Sequence, residues 1–207
     1  MLYFPEVLLH RYRDFIKERY DHKKFHALAD RQTPEIMIIS CCDSRVAPET
    51  IFNCEPGEIF VVRNVANIVP PYQPDSYHHS TSAAIEFAVQ ELCVKHIIIM
   101  GHAGCGGIRA LLNPENKPLS PGDFIGQWMD ILRPIAEQVK IDNSIEKQEK
   151  VEKISIINSL NNLRSFPWIR EREQKNLLHL HGVWFDISSG KLRILDSETK
   201  EFICLSL

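Results

Sequence analysis

The sequence contains no long hydrophobic run. Its longest apolar stretches, around residues 36–42 and 97–100, are far shorter than the roughly 20 residues that cross a bilayer. The N-terminal segment "MLYFPEVLLHRYRDF" lacks a basic leader, and Pro5 and Glu6 interrupt its apolar residues before a signal-peptide core can form. We therefore expect a cytoplasmic protein with no membrane partner.

The sequence also lacks a strong excess of one charge and any Cys-x-x-Cys pair. The formal net charge is -3, and the basic residues are spread along the chain, which argues against nucleic acid as a partner. The six cysteines, without an export signal, are better explained as thiols or metal ligands than as a disulfide framework. Internal repeats and linkers rich in glycine and serine are absent, so we expect a single domain over residues 1–207.

The hydrophobic pattern predicts an α/β fold. Apolar residues at helical spacing over residues 8–28 predict an N-terminal helical arm, within residues 1–30, ahead of an α/β core over 31–207. Three short runs hardly alternate, as in strands buried on both faces of a parallel sheet; they lie at 36–40, 58–64 and 96–101. Two later runs are joined by the turn "SSGK" and predict an antiparallel hairpin. The expected architecture is a central, mostly parallel β-sheet with an antiparallel edge strand, flanked by helices.

A charged segment precedes the predicted hairpin. Residues 140–153 are rich in lysine and glutamate, and Asn143 and Glu146 have the spacing of a helix capping box. We interpret the charge run as the solvated face of a helix.

Two of the predicted parallel strands end in reactive residues. The first leads into Cys41, and the third leads into "GHAGCGG" at residues 101–107. Because neighbouring parallel strands deliver their carboxyl ends to one crevice, we expect Cys41, His102 and Cys105 to converge. Three such ligands leave a fourth tetrahedral position for water, which is typical of catalytic zinc. The alternative is a reduced pair of core thiols beside a hydrogen-bonded histidine.

Asp43 and Arg45 closely follow the first of these cysteines. A bidentate arginine partner would hold the carboxylate off a metal at Cys41, although a purely structural ion pair at a helix start is the alternative. The other thiols, at positions 54, 93 and 204, have apolar neighbours and no ligand at suitable spacing. We expect these three to be buried structural cysteines.

Four segments together resemble the β-class carbonic anhydrases. They are Cys-x-Asp-Ser-Arg at 41–45, "EPGEIFVVRNVANIVPP" at 55–71, "SAAIEFAV" at 82–89 and "GHAGCGGI" at 101–108. The resemblance is strong over residues 30–112, and "HGVWFDISSGKLRILD" at 181–196 is similar to the closing hairpin of that family.

The resemblance implies a zinc enzyme that reversibly hydrates carbon dioxide to bicarbonate and a proton, by attack of zinc-bound hydroxide. One Zn²⁺ per chain would be held by Cys41, His102 and Cys105, with Asp43 and Arg45 as catalytic gating residues. Cys42 has no ligand role in this scheme. The residues that would contact substrate are Gln32, Phe60, Val65, Phe87 and Gly106.

Further implications concern regulation and assembly. Some bacterial members carry a Trp, Gly and Tyr set for inhibitory bicarbonate, but Ile38, Ser40 and Phe185 stand at those positions, so an open site is expected. The family pattern also implies a homodimer or homotetramer. Two alternative functions stay open: a zinc hydrolase of carbon disulfide or carbonyl sulfide on the same fold, and a non-enzymatic zinc-binding protein.

Overall fold

The N-terminal segment forms two helices, α1 (Glu6–Glu18) and α2 (His22–Leu28). The computed structural model describes residues 4–75, 79–113, 115 and 117–205, and the chain divides into the units Met1–Thr33 and Pro34–Leu207. Asp21 caps α2, since its Oδ1 accepts the backbone N–H groups of Lys23 and Lys24 at 2.8 and 3.2 Å. The predicted helical arm is confirmed as this helix pair.

The unit Pro34–Leu207 is built on one six-stranded sheet. Its strands are β1 (Ile36–Cys41), β2 (Ile59–Asn64), β3 (His96–His102), β4 (His179–Phe185), β5 (Leu192–Leu195) and β6 (Phe202–Cys204). They lie in the order β2-β1-β3-β4-β5-β6. The first four are parallel, whereas β5 and β6 are antiparallel to their neighbours. The predicted mixed sheet is confirmed.

Two details of the sheet differ from the prediction. β2 is half-buried along its whole length instead of buried on both faces, because it is an edge strand. The hairpin strand β5 does not close the other edge, since the short strand β6 pairs with it.

Helices cover the sheet on both faces. They are α3 (Pro48–Ile51), α4 (Ser80–Glu86), α5 (Gly106–Leu112), α6 (Phe124–Met129), α7 (Arg133–Ala136), α8 (Ser144–Leu163) and α9 (Pro167–Gln174). A 3₁₀ turn at Val65–Asn67 follows β2, and a π-helical turn at Phe87–Glu91 continues α4. Asn143 caps α8 as predicted, because its Oδ1 accepts from Ile145 and Glu146 at 3.0 and 3.2 Å. Among the described residues, no helix is long and apolar enough to span a bilayer.

Two glycines bring α8 close to the sheet beside the carboxyl end of β3. A Cβ atom at Gly101 or at Gly182 would lie 2.8 Å from the side chain of Ile156, so only glycine permits this approach. As a result, the predicted solvated face of the charged segment is wrong at Glu152, which is only 2% exposed.

The expectation of buried structural thiols at three positions is also wrong. Cys93 and Cys204 are exposed and Cys54 is half-buried. Cys93 follows the π-helical turn in a left-handed conformation, with φ 54°, and Cys204 ends the edge strand β6. Neither position is covered by another element of the sheet.

Candidate metal centre

Three potential metal ligands meet at the carboxyl edge of the sheet. Cys41 ends β1, His102 ends β3 and Cys105 directly precedes α5. All three are buried, and their ligand atoms lie within 4.8 Å of one another. The two Sγ atoms are 4.0 Å apart, close to the roughly 3.8 Å that two 2.3 Å Zn–S bonds give in tetrahedral geometry. The positive φ of Gly104, 68°, turns the chain between the second and third ligands.

His102 offers a nitrogen suited to a metal. Its Nδ1 lies 2.9 Å from the carbonyl oxygen of Ala103, and because a carbonyl only accepts, Nδ1 carries the proton. Nε2 is buried and has no hydrogen-bond partner among the described residues. Since buried polar atoms are nearly always paired, this free lone pair beside two thiols fits a bound metal.

The two thiols are coupled through their hydrogen bond. The contact with Cys105 lowers the pKa of the Cys41 thiol. The same bond, together with burial, raises the pKa of Cys105, while the N–H groups of Gly107 and Ile108 at the start of α5 oppose that rise. Thiolate is the form of cysteine that binds a metal.

Asp43 and Arg45 form a bidentate ion pair beside these ligands. Arg45 donates Nε to Oδ1 at 2.9 Å and Nη2 to Oδ2 at 2.7 Å, and its backbone N–H also donates to Oδ1 at 3.0 Å. The arginine holds the pKa of the Asp43 carboxyl well below its usual range. Oδ2 lies 4.0 Å from Nε2 of His102. The carboxylate thus faces the cluster while both of its oxygens are engaged by Arg45.

A second arginine, which the sequence reasoning missed, fixes the loop after β1. Arg63 donates Nε to the carbonyl oxygen of Cys41 at 2.9 Å and Nη2 to that of Asp43 at 2.7 Å. It lies on β2 opposite Ser40. A single charged residue at the end of an otherwise apolar strand was the available signal.

Comparison with known proteins supports the family resemblance seen in the sequence. The model of the carbonic anhydrase family matches residues 36–192. Beta carbonic anhydrase 3 of Arabidopsis thaliana is 39% identical over 189 residues, which cover 88% of this chain and 73% of that protein. This chain belongs to the β-carbonic anhydrase family. The family is one of enzymes, as the sequence predicted.

Solved β-carbonic anhydrases share the fold. The structure of the beta-carbonic anhydrase CcaA has a TM-score of 0.86 and 29% identity, covering 97% of this chain and 98% of that one. Tetrameric beta-carbonic anhydrases from Sordaria macrospora give a TM-score of 0.74 and 32% identity, with 92% of each chain covered.

Two of the predicted substrate residues of this β-carbonic anhydrase lie next to the ligand cluster. Gly106 directly follows Cys105 and has open space where a side chain would be. Val65 follows β2, and its carbonyl oxygen accepts the indole N–H of Trp128 at 2.8 Å. Its side chain packs against Gly107.

The other three predicted substrate residues are not brought to the cluster within the described unit. Phe60 pairs with Met37, four residues before Cys41, which is about 13 Å along a strand. Phe87 is 45% exposed and its ring centroid lies 6.0 Å from that of Phe60. Gln32 belongs to the N-terminal unit, where it is exposed. Substrate contact by these three residues stays a prediction.

Proposed function

We propose that this protein catalyses the zinc-dependent, reversible hydration of carbon dioxide to bicarbonate and a proton. The observation that carries the proposal is the buried Cys41, His102 and Cys105 cluster, with an unpaired Nε2 on His102. Membership of the β-carbonic anhydrase family supports the same chemistry.

The cluster would hold zinc through the two Sγ atoms and His102 Nε2. Bound there, zinc would supply Lewis acidity that lowers the pKa of a coordinated water and so provides a nucleophile near neutral pH. The thiolates of Cys41 and Cys105 offset the charge of a dication. We therefore expect a less acidic water than at a three-histidine site, and activity that rises on the alkaline side.

Asp43 and Arg45 would keep the site open and oriented. The bidentate pair engages both carboxylate oxygens, so Asp43 is held from acting as a fourth ligand. Oδ2, which faces His102, can still accept a hydrogen bond from the attacking group. Arg63 holds the backbone of this loop in place, so the carboxylate needs no reorganisation during the reaction.

The remaining features are proposals of the same kind. The tetrameric relatives from Sordaria macrospora support a homodimer or homotetramer. Hydrolysis of carbon disulfide or carbonyl sulfide would use the same residues, so both compounds serve as alternative substrates in the assay below. A cytoplasmic location stays a prediction.

The test is stopped-flow hydration of carbon dioxide at neutral and alkaline pH, with bound zinc per chain measured on the same sample. We expect activity that scales with zinc and grows with pH. His102→Ala should lose both zinc and activity, whereas Arg164→Ala, on a surface ion pair with Glu173, should keep both. One zinc per chain with no hydration at either pH, or turnover of the sulfur compounds only, would reject the proposal.

A further inference from the structure

A buried carboxylate lies directly behind the candidate ligand Cys105. Glu152 of α8 is 2% exposed and forms no ion pair within the described part of the chain. Its Oε1 accepts the backbone N–H of Cys105 and Nε2 of Gln148, both at 2.9 Å. Its Oε2 accepts the indole N–H of Trp184 at 3.2 Å. Three donors from α8, β4 and the start of α5 thus converge on one side chain.

Gln148 completes the contact with the ligand. Its Nε2 also reaches the carbonyl oxygen of Cys105 at 3.3 Å. Residues 148 and 152 are one helical turn apart and share a face of α8, so together they engage both the N–H and the C=O of the same residue. The backbone of Cys105 is therefore held on both sides, immediately after the turn at Gly104.

Stability alone is a weak explanation for this arrangement. The buried N–H of Cys105 needs an acceptor, but a neutral amide or hydroxyl oxygen would supply one without the cost of burying a charged group. What distinguishes Glu152 is its partner, since the N–H that it accepts belongs to a metal-ligand candidate. Groups that orient ligands from behind commonly change metal affinity by about 10- to 100-fold when they are altered.

We propose that Glu152 and Gln148 are positioning residues. They hold Cys105 Sγ at the spacing from Cys41 Sγ and His102 Nε2 that a shared zinc ion needs, and they thereby set the zinc affinity of the site. The inference rests on the proposed zinc site and adds a determinant outside the ligands and the Asp43–Arg45 pair. Trp184 supports it from β4 by fixing the second carboxylate oxygen.

The test compares zinc dissociation constants of full-length chains by competition with a chromogenic chelator. Glu152→Gln keeps the shape but has one acceptor oxygen in place of two, so an amide NH₂ must face either the Cys105 N–H or the Trp184 N–H. Gln148→Ala removes the contact with the Cys105 carbonyl. We expect each to bind zinc about 10- to 100-fold more weakly. The matched control is Glu171→Gln, an exposed glutamate paired with Lys175 on α9, which should bind zinc within threefold of the wild type.

A second readout separates positioning from general loosening. Cobalt-loaded Glu152→Gln should show shifted thiolate-to-cobalt absorption bands, because Cys105 is displaced, whereas Glu171→Gln should not. Ile156→Val removes Cδ1, which faces Gly101, and keeps Cγ2, which faces Gly182. It should lower the unfolding temperature while leaving the bands and the affinity unchanged.

The possible failures are distinguishable. A wild-type chain that binds no zinc would overturn the proposed function and this inference with it. A wild-type chain that binds zinc, with Glu152→Gln and Gln148→Ala within threefold of it, would overturn the inference alone. So would an affinity loss in Ile156→Val as large as theirs. If Glu152→Gln does not fold, Gln148→Ala decides the question.

Discussion

Two adjacent glycines after Cys105 should respond to alanine in opposite ways. Gly106 and Gly107 both lie in the first turn of α5. A Cβ atom at Gly106 meets no heavy atom within 4 Å. At Gly107 it would lie 2.7 Å from Cγ1 of Val65, 3.3 Å from Sδ of Met129 and 3.4 Å from Cβ of Ala66. Carbon atoms in good contact are about 3.5–4.0 Å apart, so the valine methyl group is nearly 1 Å too close.

The neighbours of Gly107 have little room to give way. Val65 has a branched and therefore stiff side chain, its carbonyl oxygen is tied to Trp128, and the next residue, Ala66, has φ 63°. Overpacking of this kind costs about 1–3 kcal/mol. Both alanine substitutions reduce the conformational freedom of the unfolded chain, which stabilises each variant by the same amount, about 0.4–1 kcal/mol. That gain cancels in the comparison, so Gly107→Ala should be about 1–3 kcal/mol less stable than Gly106→Ala.

Thermal unfolding of the two variants measures this difference. For a chain of this size, 1 kcal/mol corresponds to about 2–4 °C, so the midpoints should differ by about 2–12 °C, with Gly106→Ala at or above the wild type. Adding Val65→Ala to Gly107→Ala removes the clashing methyl group and should restore part of the loss, which gives a non-additive cycle. Equal midpoints for the two glycine variants, or strict additivity with Val65→Ala, would refute the packing argument.

Three further predictions concern the site and its surroundings. Arg45→Ala should keep one zinc per chain but lower the hydration rate about tenfold, because the freed Asp43 carboxylate can approach the cluster. The control is Arg164→Ala, which also removes a bidentate pair with a glutamate. Unchanged turnover in Arg45→Ala would count against gating. Stripping zinc with a chelator should lower the unfolding midpoint, and resupplying it at about 1,000 times its dissociation constant should restore about 4 kcal/mol; a midpoint that does not depend on zinc would contradict a bound metal. Burial, followed by the neighbouring histidines, lowers the pKa of His181, so the unfolded chain takes up a proton there first and stability should fall as the pH drops below about 6.5. In His181→Asn the free energy of unfolding, measured by urea titration, should fall less steeply as the pH drops. A pH profile identical to that of the wild type would disprove the role of His181.

The sequence was sufficient to predict the ligand cluster because the cluster depends on topology. Cys41 and His102 each end a strand with an apolar, weakly alternating pattern, and parallel strands deliver their ends to one edge. The pairing of Ser40 with Met100 in neighbouring strands brings the next residues together without any detail of side-chain packing. The Asp43–Arg45 pair could also be predicted from the sequence, because its two residues are only two positions apart in the chain.

Elements that depend on tertiary contacts were harder to predict. The strand β6 is only three residues long and its pattern is too short to show a period. The half-buried state of β2 follows from its place at the edge of the sheet. The order of strands in a sheet cannot be predicted from the hydrophobic pattern of a single strand. The exposed thiols Cys93 and Cys204 were misjudged because apolar neighbours in sequence do not guarantee cover in space.

Glu152 shows how a functional position can be concealed in a charged segment. It lies in "DNSIEKQEKVEK", where lysine and glutamate alternate closely and a solvated helix face is the natural interpretation. The buried positions of α8 nevertheless continue through it: Val151, Glu152, Ser155, Ile156, Ser159, Leu160 and Leu163. Positions 152, 156, 160 and 163 form one stripe at helical spacing, so the signal was a single acidic residue in line with an apolar stripe.

The reason that this stripe carries a carboxylate at its N-terminal end lies in what α8 meets there. Toward its C-terminal end the stripe packs on the apolar core, with Ile156 and Leu160 against the sheet. One turn before Ile156 the neighbour is no longer the apolar face of a strand but the N–H of Cys105, which follows the end of β3. An apolar residue there would leave that N–H buried and unpaired, at a cost of about 1–3 kcal/mol. The same approach of α8, permitted by Gly101 and Gly182, therefore requires a polar acceptor at position 152 and places it where it can hold a metal ligand.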